Sequence, residues 1–316
     1  MHPQRIVMLG ATGFVGSHLL PRLAADGHQI TLLSRNRERH RALAVLPGIV
    51  IRNADVYDDA VLRRHCEGAD TVINLIGILN SSGHHTFQRA HVEMSRRLID
   101  ICQAVRVQRL HQMSSLKAGQ GQSQYLQTRG EAEALVKRSA LNWTIYEPSV
   151  IFGPGDGLIT RFASLLRKTP VLPLARANSR MAPTYVGDVA EAIARCVADD
   201  KRSSRRCFEL YGPEVLTLGQ IVRAIRDAAG LRTRIMPLPD SLGRWQARIA
   251  GALPGKPFSL DNFLSLGTDS VGDVDGYAAL GITPQSFSLL LPHVLQGMPR
   301  QRRLDACRQA FRHHGF

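Results

Sequence analysis

The chain has 316 residues, with 40 Lys and Arg against 26 Asp and Glu and a formal charge of +14. Its length suits an α/β domain of roughly 220 residues with a smaller appended lobe, and no apolar run, Ile76 to Leu79 included, approaches the ~20 residues of a membrane span. The basic excess favours phosphates, anionic lipid or nucleic acid, but aromatics are only 6% and are not interleaved with the basic residues, which counts against nucleic acid.

Met1-His2-Pro3-Gln4 leads straight into a strand-like run, so a secretory signal is not expected and a cytoplasmic location follows by default. Cys66, Cys102, Cys196, Cys207 and Cys307 are scattered, odd in number and without CxxC spacing, which predicts reduced and mostly buried thiols. In chain order, β-branched runs at Arg5–Leu9, Gln29–Ser34, Ile49–Arg52, Thr71–Gly77, Arg109–Ser114 and Trp143–Glu147 alternate with helical stretches at about 14–26, 36–46, 58–67, 86–105 and 123–140. That alternation predicts a Rossmann doubly wound parallel sheet, residues 1–150 forming the nucleotide-binding domain. Residues 151–316 read as a smaller C-terminal substrate lobe, with segments about 183–212 returning to the main sheet.

Gly10-Ala11-Thr12-Gly13-Phe14-Val15-Gly16 follows a strand and opens a helix. In that context Gly10 permits the turn, Gly13 lets backbone approach a pyrophosphate at the helix N-terminus, and Gly16 lets helix pack on strand. The GxxGxxG spacing resembles the short-chain dehydrogenase/reductase superfamily, in its extended and atypical branches. Where an NAD-preferring chain offers an acid after the second strand, this one has Ser34-Arg35-Asn36-Arg37. Arg35, with Ser34 and Arg37, is therefore expected to meet a 2′-phosphate, making the cofactor NADP(H). Asp55-Val56 resembles the pair that brackets adenine, and Leu75-Ile76-Gly77 the small-residue passage beside the cofactor.

The resemblance also implies a Tyr with a Lys four residues on, and a Ser that orients the substrate oxygen. Tyr125 fits, but Arg129 stands in the lysine position. Arginine keeps the charge and cannot yield a proton to a relay. Ser115 corresponds to the orienting hydroxyl, with Met113 and Ser114 nearer the cofactor, His91 at the cleft, and Pro148 and Val150 beside the nicotinamide. The stretches GATGFVGSHL (10–19), NLIGIL (74–79), TF (86–87), HVE (91–93), EPSVIFG (147–153), PTYVGDVA (183–190) and YGPEVLT (211–217) narrow the resemblance to the atypical group related to the nucleotide-binding 39-kilodalton accessory subunit of mitochondrial complex I.

Two uses of the cofactor stay open: an oxidoreductase acting on a small apolar carbonyl or quinone-type substrate, and a non-catalytic NADPH-binding accessory or assembly protein of a respiratory or quinone-related membrane complex. Sugar-nucleotide epimerase chemistry ranks below both because the lysine is missing. A metal site is not expected, since His84, His85 and His91 lack partners at ligand spacing. Arg300, Arg302, Arg303, Arg308 and Arg312 around Leu304, Cys307 and Phe311 predict a basic amphipathic helix. Such a helix either docks on the body or meets the inner face of a membrane peripherally.

Overall fold

Four of the five residues of β1 (Arg5–Leu9) are buried, as an unbroken Ile6-Val7-Met8-Leu9 run demands of a strand covered on both faces. The computed structural model describes residues 2–252 and 258–296. In it β1 is flanked by β2 (Gln29–Ser34), β3 (Ile49–Asn53), β4 (Thr71–Asn74), β5 (Arg109–Met113), β6 (Asn142–Pro148) and the strand Arg206–Leu210. All pair in parallel, in the spatial order Arg206–Leu210, β6, β5, β4, β1, β2, β3. The chain winds outward through β2 and β3 and then crosses to β4 on the other side of β1. At that reversal the loops leaving β1 and β4 part and open a crevice at the strands' carboxyl ends.

One face of the sheet is closed by α1 (Phe14–Ala25) and the helix Val186–Ala198. The other is closed by α2 (Asp59–Cys66), α3 (Met94–Ala104) and α4 (Gln124–Arg138). Three expected elements differ. The stretch 36–46 forms a 3-10 helix, Arg37–Val45, kinked at His40 and with no buried residue, because Arg37-Glu38-Arg39-His40-Arg41 offers no apolar face. The stretch 86–105 begins with a π-helical turn, Gln88–Glu93, before α3. β4 stops at Asn74 rather than Gly77, since the Asn74 side chain accepts from the Ile76 amide at 3.1 Å and turns the chain out of the sheet.

Beyond β6, the helices Gly157–Lys168 and Leu218–Ala228 pack with Phe152, Leu172 and Phe287 around a separate apolar cluster. The strand Val171–Leu174 there pairs in parallel with Arg234–Pro237. The basic helix expected at residues 300–312 lies outside the described residues, as does Cys307. Among the described residues Cys66, Cys102 and Cys196 are buried, Cys207 is exposed and all four are free. No helix there is long and apolar enough to cross a membrane, and no three His, Cys, Asp or Glu side chains cluster as a metal site. His84 and His85 are exposed on the 80–86 loop while His91 is buried, so the three histidines do not converge.

Candidate functional site

The glycine turn sits at the mouth of the crevice. Gly10 has φ +71°, and a Cβ on it would stand 2.8 Å from both the Ile76 amide nitrogen and the Leu75 carbonyl carbon. The turn after β1 thus rests on Leu75-Ile76, the half-buried segment after β4. A Cβ on Gly16 would lie 2.2 Å from the Ala11 carbonyl oxygen, so only glycine lets α1 close on the buried Ala11. Gly13 differs: it is exposed, and a Cβ there would meet only the Gly10 oxygen, at 3.1 Å. It is the N-cap of α1 and supplies no side-chain cap. The first-turn amides therefore have no side chain answering them and carry the positive end of the helix dipole. Thr12, Phe14 and Val15 are half-buried around the turn, Phe14 against the His18 ring.

At the end of β2, buried Ser34 accepts from the Asn36 amide at 3.3 Å. Arg35 and Arg37 are both exposed. Arg37 leans on Glu38 at 3.7 Å, whereas Arg35 forms no ion pair among the described residues. Asp55 holds its own turn by accepting from the Tyr57 amide at 3.0 Å, and Val56 packs on the core beside it.

On the opposite wall, α4 carries Tyr125, Arg129, Glu133 and Lys137 at four-residue intervals, one stripe of the helix. Ser123 caps the helix by accepting from the Leu126 amide. The buried Arg129 donates from Nη1 to the Met113 carbonyl at 2.8 Å, where β5 ends. Its Nη2 fills the space over Gly77, only 2.3 Å from where a Cβ would stand. Its guanidinium carbon lies 5.5 Å from the Tyr125 ring centre. Ser114 donates to Glu133 at 2.5 Å, and Lys137 donates to the other Glu133 oxygen at 2.9 Å. The Ser114 hydroxyl is thereby committed to the helix.

Ser115 is the contrast: its hydroxyl is buried and has no partner among the described residues. His91 is buried with its ring 5.5 Å from that of Tyr125, edge to face. Its Nδ1 lies 2.9 Å from the Thr128 hydroxyl, which itself donates to the Gln124 carbonyl. That assigns the His91 proton to Nδ1 and leaves Nε2 an acceptor without a partner. Burial, reinforced by the Arg129 charge, pushes His91 down to about 2, so the ring is neutral. Among the described residues Ser115 Oγ, Arg129 Nε and His91 Nε2 are buried polar atoms without a partner, ordinarily a rare condition; Arg129 and His91 lie against the Tyr125 ring, and Ser115 lies two residues past the β5 end that Arg129 grips.

Pro148 and Val150 present their carbonyls to the Leu116 and Thr184 amides and frame the lobe side. Gln112, Asp261 and Asn262 contribute without a signal in their local sequence. Asn74 donates to Gln112 at 3.0 Å, and Gln112 donates on to the Met113 carbonyl, bracing the ends of β4 and β5. From the lobe helix Leu260–Ser265, Asp261 accepts from the Gln124 and Tyr125 amides at 2.6 and 3.3 Å, and Asn262 donates to the Leu79 carbonyl at 3.2 Å. The lobe therefore grips both the Tyr125 helix and the loop after β4.

A parallel sheet reversing at β1 and β4, with a glycine turn at the reversal, defines a Rossmann nucleotide-binding fold. The family model described as NAD(P)H-binding matches residues 10–200, and the chain belongs to that family. It is 27% identical over 308 residues to the NADH dehydrogenase [ubiquinone] 1 alpha subcomplex subunit 9 of Arabidopsis thaliana mitochondria, covering 92% of this chain and 75% of that one. The resemblance to the complex I accessory subunit holds. The chain is also 29% identical over 238 residues to a ceramide reductase of Caulobacter vibrioides, covering 74% of each. Among solved structures, the NADPH-dependent quinone oxidoreductase of Escherichia coli in complex with NADPH superposes with a TM-score of 0.75 at 20% identity, over 92% of this chain and 99% of that one. This last likeness bears on the fold alone.

Proposed function

We propose that the chain is an NADP(H)-dependent oxidoreductase acting on an apolar carbonyl or quinone-type substrate. The observation that carries the reading is the Ser115 hydroxyl, buried and without a partner among the described residues, two residues past β5 and next in sequence to Ser114, which bonds to Glu133 of the helix that bears Tyr125. A substrate oxygen accepting from Ser115 satisfies an atom that the fold leaves in debt. The cradle suits a dinucleotide: Gly13 opens the α1 N-terminus to a pyrophosphate, Asp55-Val56 borders the adenine, Leu75, Ile76 and Gly77 line the passage, and exposed Arg35 answers a 2′-phosphate. NADPH bound there supplies hydride to the carbonyl carbon. Tyr125 donates its phenolic proton to the substrate oxygen as that oxygen gains charge, and Ser115 holds the oxygen in line. The ceramide reductase among the relatives supports an apolar substrate.

The Arg129 guanidinium, tied to Met113 and lying over Gly77, favours a second reading. Arg129 stays charged and cannot pass a proton onward, so a tightly held NADPH in an accessory protein of a membrane complex also fits. The complex I subunits among the relatives support it. Rapid mixing of the NADPH-loaded protein with a panel of quinones and long-chain carbonyls separates the two. Under the first reading nicotinamide absorbance falls with at least one substrate, and Tyr125→Phe slows that step by roughly 100-fold or more, the usual contribution of a positioned proton donor. NADPH that neither oxidises nor exchanges supports the second reading.

A further inference from the structure

The lobe helix Asp240–Ala252 is built inside out. Its inward face is Gly243 and Ala247, both buried, and a Cβ on Gly243 would stand 2.9 Å from the Ala175 Cβ and 3.0 Å from the Phe263 ring. Small residues thus let the helix close on the Ala175 and Phe263 cluster. Gln246 fixes one flank by donating to the Pro173 carbonyl at 3.0 Å, and Asp240 ties the first turn to Arg176 at 2.8 Å. The large apolar residues face away: Leu242, Trp245 and Ile249 are 56%, 66% and 49% exposed. Spaced three and four residues apart, they form one stripe. Arg244 and Arg248, also exposed and four apart, form the stripe beside it.

Isolated exposed apolar residues are ordinary, but a Trp-centred stripe on a helix that hides its glycine and alanine is not. We propose that this helix is an interfacial anchor that lays Leu242, Trp245 and Ile249 into the headgroup boundary of an anionic bilayer while Arg244 and Arg248 meet the lipid phosphates. The charges decide the occupant. Two arginines border the stripe in a chain of formal charge +14, complementary to an anionic lipid surface and not to a second copy of the same basic chain. Trp is the side chain best suited to that depth, apolar in body with one polar edge. Thirteen residues extend about 20 Å, enough to lie along the surface and too short to span it.

The test is co-sedimentation of the full chain with phosphatidylglycerol-containing and purely phosphatidylcholine vesicles, alongside quenching of Trp245 by brominated acyl chains. The only other tryptophan, Trp143, is buried beneath the sheet and serves as the unquenched reference. Binding is expected on anionic vesicles, weakening with salt, with Trp245 quenched. Leu242→Ser, Trp245→Ser and Ile249→Ser combined are expected to lower partitioning at least tenfold, and Arg244→Gln with Arg248→Gln roughly 25-fold, at about fivefold for each neutralised arginine. Circular dichroism and cofactor binding unchanged in both variants establish that they fold. Anionic binding that survives both variants, quenching absent from bound protein, or light scattering that detects a dimer abolished by the triple variant each overturns the anchor.

Discussion

Gly13→Ala separates cofactor binding from folding more cleanly than any other change in the glycine turn. Gly13 has φ −81° and ψ −174°, extended backbone that alanine adopts freely. The added methyl meets only the Gly10 carbonyl oxygen, at 3.1 Å, and the residue is exposed. The cost to the empty protein is about 1 kcal/mol, a weaker N-cap plus a small adjustment, or roughly 2–4 °C in Tm for a chain of this size. The same methyl stands at the α1 N-terminus, where the proposed reading has a pyrophosphate approach backbone. Gly16→Ala is the control, because its methyl would lie 2.2 Å from the Ala11 oxygen with backbone on both sides. It should cost about 3 kcal/mol or more with or without ligand. Thermal melts of the three proteins, each with and without NADPH, read the difference. At 100 times its Kd the cofactor stabilises wild type by about 2.7 kcal/mol. Gly13→Ala should melt close to wild type when empty and gain almost nothing from NADPH. A Gly13→Ala protein that NADPH stabilises as fully as wild type refutes the pyrophosphate placement.

Ser115→Ala should raise the stability of the empty protein by about 1 kcal/mol, because it deletes a buried hydroxyl without a partner, while lowering kcat/KM; a loss of stability would mean that the hydroxyl is satisfied within the fold. Glu147 gives a pH signature. Burial, reinforced by the Glu133 charge, raises its carboxyl from 4.5 to about 7 despite Lys137 at 3.9 Å. The folded protein therefore holds this proton more tightly than the unfolded chain does. The resulting stabilisation is full below pH 4.5 and is lost as pH rises through about 7. The Tm difference between wild type and Glu147→Gln should drift against wild type across that window, and a difference independent of pH would remove Glu147 as the titrating group.

The sheet was legible because short apolar runs such as Ile6–Leu9 alternate with helical stretches and its first turn carries three glycines in a fixed frame. Elements with weaker signals shifted where a side chain intervened. Asn74 ends β4 by accepting from Ile76, and the polar 37–41 run gives the 3-10 stretch nothing to bury. In the site, Tyr125, Arg129 and Ser115 were visible as residue types at set spacings. Their environment was not. That Ser114 faces Glu133 and leaves Ser115 unanswered depends on how β5 meets α4. Asp261 lies 136 residues from Tyr125 in sequence, so only the docked lobe reveals that its carboxylate holds the Tyr125 amide. That Leu242, Trp245 and Ile249 face outward depends on the packing of Gly243 and Ala247 on the other side of their helix.

The proposed preference for NADPH rests on Arg35, exposed just past the end of β2 and without an ion pair among the described residues. Calorimetric titration of wild type and Arg35→Ala with NADPH and with NADH tests it most directly. A charge-assisted bond to a phosphate is worth about 1.5–3 kcal/mol, roughly 10–100-fold in affinity. Wild type should bind NADPH tighter than NADH by that factor, and Arg35→Ala should bring the two to within about twofold by weakening NADPH alone. NADH binding as tight as NADPH in wild type, or equal weakening of both by Arg35→Ala, contradicts the account.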